Sequence, residues 1–179
     1  MTHINPWLAH QAEDGDAPDG APDEPMPVVV APEPRGPLYF AGAHGGAGVS
    51  TLVHLAPALR EVGLKIAAGD RLVVVCRSSA SGLQAAQRVL AYLASPASPA
   101  AHVEGLIVSA DAPGRKPRPL HDLTALLSGA TPRTWLLPWV EDWRFDPYPV
   151  QVPRAVRAVL DELTELAGGF PSVHTNRKA

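Results

Sequence analysis

The stretch Phe40-Ala41-Gly42-Ala43-His44-Gly45-Gly46-Ala47-Gly48-Val49-Ser50-Thr51 constrains this chain more than any other. A short apolar run, Leu38 to Ala41, leads into it. An apolar pattern of helical period leaves it at Val49, Leu52, Val53, Leu55, Ala56 and Leu59. The pattern predicts a strand, a glycine loop and a helix in direct succession. In that arrangement several backbone N–H groups and the positive end of a helix dipole converge on one spot, which suits a phosphate. Glycine suits such a loop because it adopts positive φ and lets a ligand approach the backbone closely.

The run Ala43 to Thr51 resembles the deviant Walker A loop of the ParA/MinD-type P-loop ATPases, whose pattern is x-K-G-G-x-G-K-T-T. Gly45, Gly46, Gly48, Ser50 and Thr51 match it. His44 stands where the signature lysine would be and Val49 where the general P-loop lysine would be. The strict G-x-x-x-x-G-K-[ST] pattern is therefore absent. A P-loop lysine reaches the β- and γ-phosphates, and one charge-assisted hydrogen bond contributes ~1.5–3 kcal/mol, or roughly ten- to a hundredfold in affinity. Binding survives such a loss in weakened form, whereas losing one donor aimed at transition-state charge costs ~10²–10³ in rate. His44 would replace part of the charge only when protonated.

The resemblance implies a nucleotide site formed by Gly42 to Thr51, that is Gly42, Ala43, His44, Gly45, Gly46, Ala47, Gly48, Val49, Ser50 and Thr51. It also implies ATP or another nucleotide as ligand, with Mg2+ if bound. In ParA-type proteins the loop after a later strand lies beside the base, which would place Pro138 and Trp139 there. Ser50 corresponds to the hydroxyl that touches magnesium. Asp111, following its strand, is the best remaining acid to face a metal or its water, because ligands of open parallel sheets sit at the carboxyl ends of the strands. Asp70 precedes its strand and falls at the wrong edge. The family inserts two strands carrying its switch and Walker B aspartates after the first helix; this chain passes from Gly63 to Leu72 in a few residues. Hydrolysis is therefore not expected, and no catalytic residue is assigned.

Two other readings stand on the same residues. Gly42-x-x-x-Gly46-x-Gly48 after a strand also resembles the glycine motif of short-chain dehydrogenases, an NAD(P)-binding Rossmann-type site. Their Tyr-x-x-x-Lys pair is missing, since Tyr39, Tyr92 and Tyr148 have no lysine four residues on. The other reading is a glycine-rich turn on a fold that binds no ligand and acts as an interaction module.

Charge divides the chain. Residues 1–36 hold seven acids against Arg35 alone, a balance of −6, while the rest holds eleven acids against fourteen bases, a balance of +3. The leader, acidic and studded with prolines, reads as disordered because it cannot bury enough apolar surface to offset its ordering entropy. Residues 37–168 read as one α/β domain and residues 169–179 as a flexible tail. The body's mild excess of bases does not reach the footprint of an autonomous nucleic-acid binder. One cysteine, Cys76, excludes a disulfide framework within the chain. No apolar run nears the ~18 residues needed to span a bilayer, so a cytoplasmic protein is expected.

Along the domain, the first helix is predicted from Val49 to Val62, bent near His54 by Pro57. Leu72 to Cys76 reads as a strand buried on both faces, followed by a helix capped by Ser79 or Ser81. Val103 to Ser109 gives a third strand, and Leu120 to Gly129 a helix. Thr134 to Trp139 gives a fourth strand with its exit, and Val152 to Ala167 a last helix with Pro153 in its first turn. Strands alternating with helices predict a mostly parallel sheet of four to five strands with helices on both faces, P-loop NTPase-like in outline. Partner contacts are open at Asn5–Leu8, at the Arg115–Arg118 turn and at the Trp139–Trp143 loop, and a homodimer is open as well. The resulting expectation is a degenerate ParA-like protein that binds a nucleotide or phosphate weakly and acts as a non-hydrolysing switch.

Overall fold

A computed structural model describes residues 37–62, 65–146 and 148–168. The Asn5–Leu8 segment, the rest of the leader and the tail lie outside the described residues. Five strands, β1 (Leu38–Gly42), β2 (Arg60–Glu61), β3 (Arg71–Arg77), β4 (His102–Ser109) and β5 (Thr134–Leu137), form one sheet in the order β2-β1-β3-β4-β5, with every pairing parallel. Four helices flank it: α1 (Val49–Leu55), α2 (Ala80–Leu93), α3 (Arg118–Gly129) and α4 (Arg154–Leu166). The expected α/β class, with a parallel sheet covered on both faces, is what the chain adopts.

The period-2 alternation of each strand sorts its side chains into two cores. On β3, Val73 and Val75 join Leu38, Phe40, Ile107, Trp135 and Leu137 beneath α1 and α4. Leu72, Val74 and Cys76 join Leu106 and Val108 beneath α2 and α3. All five residues from Leu72 to Cys76 are fully buried, which explains why this run shows no polar alternation. The helices answer with matching stripes: Val156, Leu160 and Leu163 on α4 for the first core, Leu83, Ala86, Leu90 and Leu93 on α2 for the second. Full burial of one such leucine stabilises by about 1.5–3 kcal/mol.

The first helix is shorter than expected. It ends at Leu55, and Ala56 leaves helical geometry at φ −129°, ψ 74°. The ring of Pro57 disfavours the α region for the residue before it, so the proline terminates the helix where a bend was expected. The freed chain turns, buries Leu59, and lays Arg60 and Glu61 beside Tyr39 and Phe40 as the edge strand β2. Ser79 is the cap of α2, accepting from the Gly82 N–H at 3.2 Å.

From β1 the chain moves outward to β2 with α1 on one face. From β3 it moves the other way through β4 and β5 with α2 and α3 on the opposite face. The order therefore reverses between β1 and β3, and in open α/β sheets ligands bind in the crevice outside the strand ends at such a reversal. At the other, amino edge, the register shift between β3 and β4 leaves Glu104 as an extra residue, and its carboxylate accepts from Arg71 Nε at 2.7 Å.

Candidate functional site

At the carboxyl end of β1 the Ala43 N–H still donates to Val75 O at 2.9 Å, so the glycine loop starts tied to β3. His44 adds a second tie. Its Nε2 accepts from the Arg77 N–H at 3.1 Å, while Nδ1–H donates to Gly45 O at 2.8 Å. A carbonyl only accepts, so the proton sits on Nδ1 and both ring nitrogens are engaged by backbone groups. His44 thus fastens the loop to β3, with both ring nitrogens turned to backbone groups.

Gly46 at φ 76° and Gly48 at φ 96° occupy the left-handed region that side chains avoid, so these two glycines are demanded by the loop itself. Gly45 is different. Its φ is not positive, and a Cβ placed there would meet nothing within 4 Å. Neither strain nor crowding inside the protein calls for glycine at that position. Among the described residues, the amides of Gly45, Gly46, Gly48, Val49, Ser50 and Thr51 donate to no partner.

A cation reaches the loop from β3. Arg77 ends that strand, and its guanidinium lies over the loop, with Nε donating to Gly46 O at 3.3 Å and Nη1 to Ala110 O at 3.5 Å. Both bonds are long, and no carboxylate among the described residues pairs with it. Arg77 was missed in the sequence. Its signal was its place: the charged residue that closes a buried apolar run at the carboxyl edge.

Hollows on several sides border the loop and Arg77. The first, about 600 Å3, brings His44, Gly45 and Gly46 together with Asp111, Trp139 and Arg144. The second, about 550 Å3, lies on the other side of the loop and is lined by Gly42, Gly48, Val49, Ser50 and Glu61. A smaller one of about 40 Å3 adjoins the first and holds Ala47, Thr51, Pro138 and Trp143. Trp139 thus shares a cavity with the glycine loop, and Pro138 borders its neighbour. Ala43, Ala47 and Val49 turn their side chains into the cores and have only backbone to offer a ligand.

Of the two residues assigned to a metal, Ser50 lines the second hollow and Asp111 the first. No group of three or more His, Cys, Asp or Glu side chains gathers among the described residues. Magnesium is usually held by carboxylates together with substrate phosphates, and one hydroxyl with a separate carboxylate does not fit that need. Asp70, at the amino edge, closes its own turn by accepting the Ala67 N–H at 2.7 Å.

Residues 36–160 match the model of a family of unknown function, DUF6668. The chain belongs to that family. The DUF6668 match takes in the glycine loop, Arg77, Asp111 and the turn carrying Trp139 and Arg144, so the whole site lies inside the family region. No curated protein and no solved structure matches the chain. No helix among the described residues is long and apolar enough to cross a membrane. The Arg115–Arg118 turn lines a separate open hollow with His121 and Asp122, away from the glycine loop.

Proposed function

We propose that this chain binds a nucleotide or similar phosphate-bearing ligand in the crevice between β1 and β3 and acts as a non-hydrolysing switch on a degenerate ParA-like loop. One observation carries the reading: the Arg77 guanidinium, with no carboxylate partner among the described residues, lies over a glycine loop that lacks both P-loop lysines. Arginine forms paired hydrogen bonds to phosphate oxygens and keeps its charge at all working pH values. The open position at Gly45 and the aromatic wall at Trp139 support a ligand with phosphates at one end and a ring at the other. Hydrolysis is left out because the loop lacks both P-loop lysines and the few residues from Gly63 to Leu72 leave no room for the strands that carry the Walker B acid in the ParA type. The cytoplasm, where nucleotides and reduced thiols are found, is the compartment this reading implies.

Titration with a fluorescent ATP analogue tests it. Arg77→Ala should weaken binding about ten- to a hundredfold, the worth of a lost charge-assisted hydrogen bond. Gly45→Val should weaken it without loss of stability, because the site has room for a side chain until a ligand enters. No saturable binding up to millimolar nucleotide would overturn the proposal. That outcome would leave the second reading, an interaction module without ligand, which one observation favours: Gly46 and Gly48 are needed by the loop's own conformation. Saturable binding of NAD(P) in place of ATP would revive the dinucleotide alternative.

A further inference from the structure

The wall of the first hollow opposite the glycine loop is a short 3-10 turn, Glu141–Arg144, which follows the exit of β5. Its Arg144 guanidinium lies 5.8 Å from the Trp139 ring and 5.9 Å from the Phe145 ring. Rings this close limit how the group can turn, and its hydrogen bonds come from its N–H edge. Glu141 takes part of that edge. Its Oε1 lies 3.5 Å from Arg144 Nη1, and its Oε2 accepts from the Trp139 indole N–H at 2.8 Å. The carboxylate and the guanidinium are 56% and 60% exposed, and ion pairs this open are weak and screened.

Resting on the phosphate-binding reading above, we infer that the ligand's phosphates are clamped by two guanidiniums, Arg77 and Arg144, without a divalent metal, and that Glu141 is an internal anion the ligand displaces from Arg144. The hollow has cations on two walls, and its two carboxylates, Asp111 and Glu141, belong to no group of three or more metal-binding side chains among the described residues. Two arginines supply the positive charge that magnesium would bring to a polyphosphate. A phosphate group with up to two negative charges outcompetes a single exposed carboxylate for Arg144. Glu141 then keeps its bond to Trp139 and releases its other oxygen. Its presence lowers affinity and favours ligands with enough charge to displace it.

Isothermal titration of the full chain with ADP and with inorganic pyrophosphate, in EDTA and again in excess Mg2+, tests this on wild type, Arg144→Ala and Glu141→Gln. Both substitutions lie on an exposed turn and leave the core untouched. Binding in EDTA should equal or exceed that in Mg2+. Arg144→Ala should weaken binding about tenfold or more. Glu141→Gln should tighten it about three- to tenfold, since the amide still accepts from Trp139 but no longer competes as an anion. A requirement for Mg2+, an unchanged affinity in Arg144→Ala, or weaker binding in Glu141→Gln would each overturn the clamp while leaving the glycine-loop reading intact. Absence of any binding by the wild type would overturn both.

Discussion

Gly82 lies in the first turn of α2, directly against the tie between His44 and β3, and replacing it with alanine sets two effects of opposite sign against each other. Helix propensity alone favours alanine over glycine by about 0.5–1 kcal/mol. The surroundings oppose it. A Cβ at Gly82 would stand 2.5 Å from Arg77 O, 3.0 Å from His44 Nε2 and 3.0 Å from Ser79 Oγ. The nearest atom is a backbone carbonyl on the central strand, which cannot swing aside, and forcing an extra methyl into a filled site costs about 1–3 kcal/mol. A contact as close as 2.5 Å to a backbone atom takes the upper part of that range, about 2–3 kcal/mol, so the balance is a net loss of about 1–2.5 kcal/mol, with the cap and the His44 bond displaced together. Gly129→Ala is the internal control: it lies in the last turn of α3 with negative φ and nothing within 4 Å, so the same substitution should gain about 0.5 kcal/mol there. Urea unfolding followed by tryptophan fluorescence gives both values, compared at unchanged m. Should Gly82→Ala prove as stable as the wild type or more so, the close fit of α2 under the loop is wrong, and with it the account of how His44 is held.

Two further outcomes are expected. Burial pushes the Cys76 thiol from 9.0 up to about 11, with the Lys116 charge pulling the other way. The unfolded thiol ionises first, so stability should be undiminished below pH 9 and fall as pH climbs from 9 to 11. The loss should total about 2–3 kcal/mol relative to the same scan of Cys76→Ala, whose slope lacks the thiol; parallel scans would refute it. At the amino edge, Glu104→Gln removes the carboxylate from Arg71, where both side chains are mostly buried. It should cost about 1–3 kcal/mol in denaturant unfolding, and a loss under about 0.5 kcal/mol would mean that the pair behaves like an exposed one.

What could be read from the sequence was set by how local its cause is. The β3 run Leu72 to Cys76 announces itself because a strand buried on both faces must be apolar throughout. The cap Ser79 and the stripe of α2 are equally local. Arg60 and Glu61 show no strand signal, because their pairing with Tyr39 and Phe40 is a long-range bond made by two exposed polar residues. The extent of α1 turned on which effect of Pro57 dominates, and the restriction on Ala56 did. In the site, Gly46 and Gly48 were visible through the loop pattern. The role of His44 was not, because it depends on the Arg77 amide thirty-three residues away in the chain. Arg144 was likewise hidden, since only the fold brings its turn across from the loop.

A cation at the end of β3, in place of one on the loop, would change what a bound phosphate could do mechanically. A loop lysine travels with the loop and its helix, so it adds charge but ties nothing else down. Arg77 belongs to the central strand, whose neighbours on both sides fix its backbone, and it holds Gly46 O through its side chain. Arg144 sits on a turn hung between β5 and α4. A ligand clamped by both would join the turn after β5 to the loop after β1 and the end of β3, where the Arg77 side chain makes only long bonds of its own. In a switch built this way, the turn carrying Trp139, Glu141 and Arg144 is the part free to respond, because the loop is already fastened to β3 through Ala43 and His44. The signal would then be read at that turn, through exchange of Glu141 for phosphate, with no metal-bound acid needed to sense the ligand.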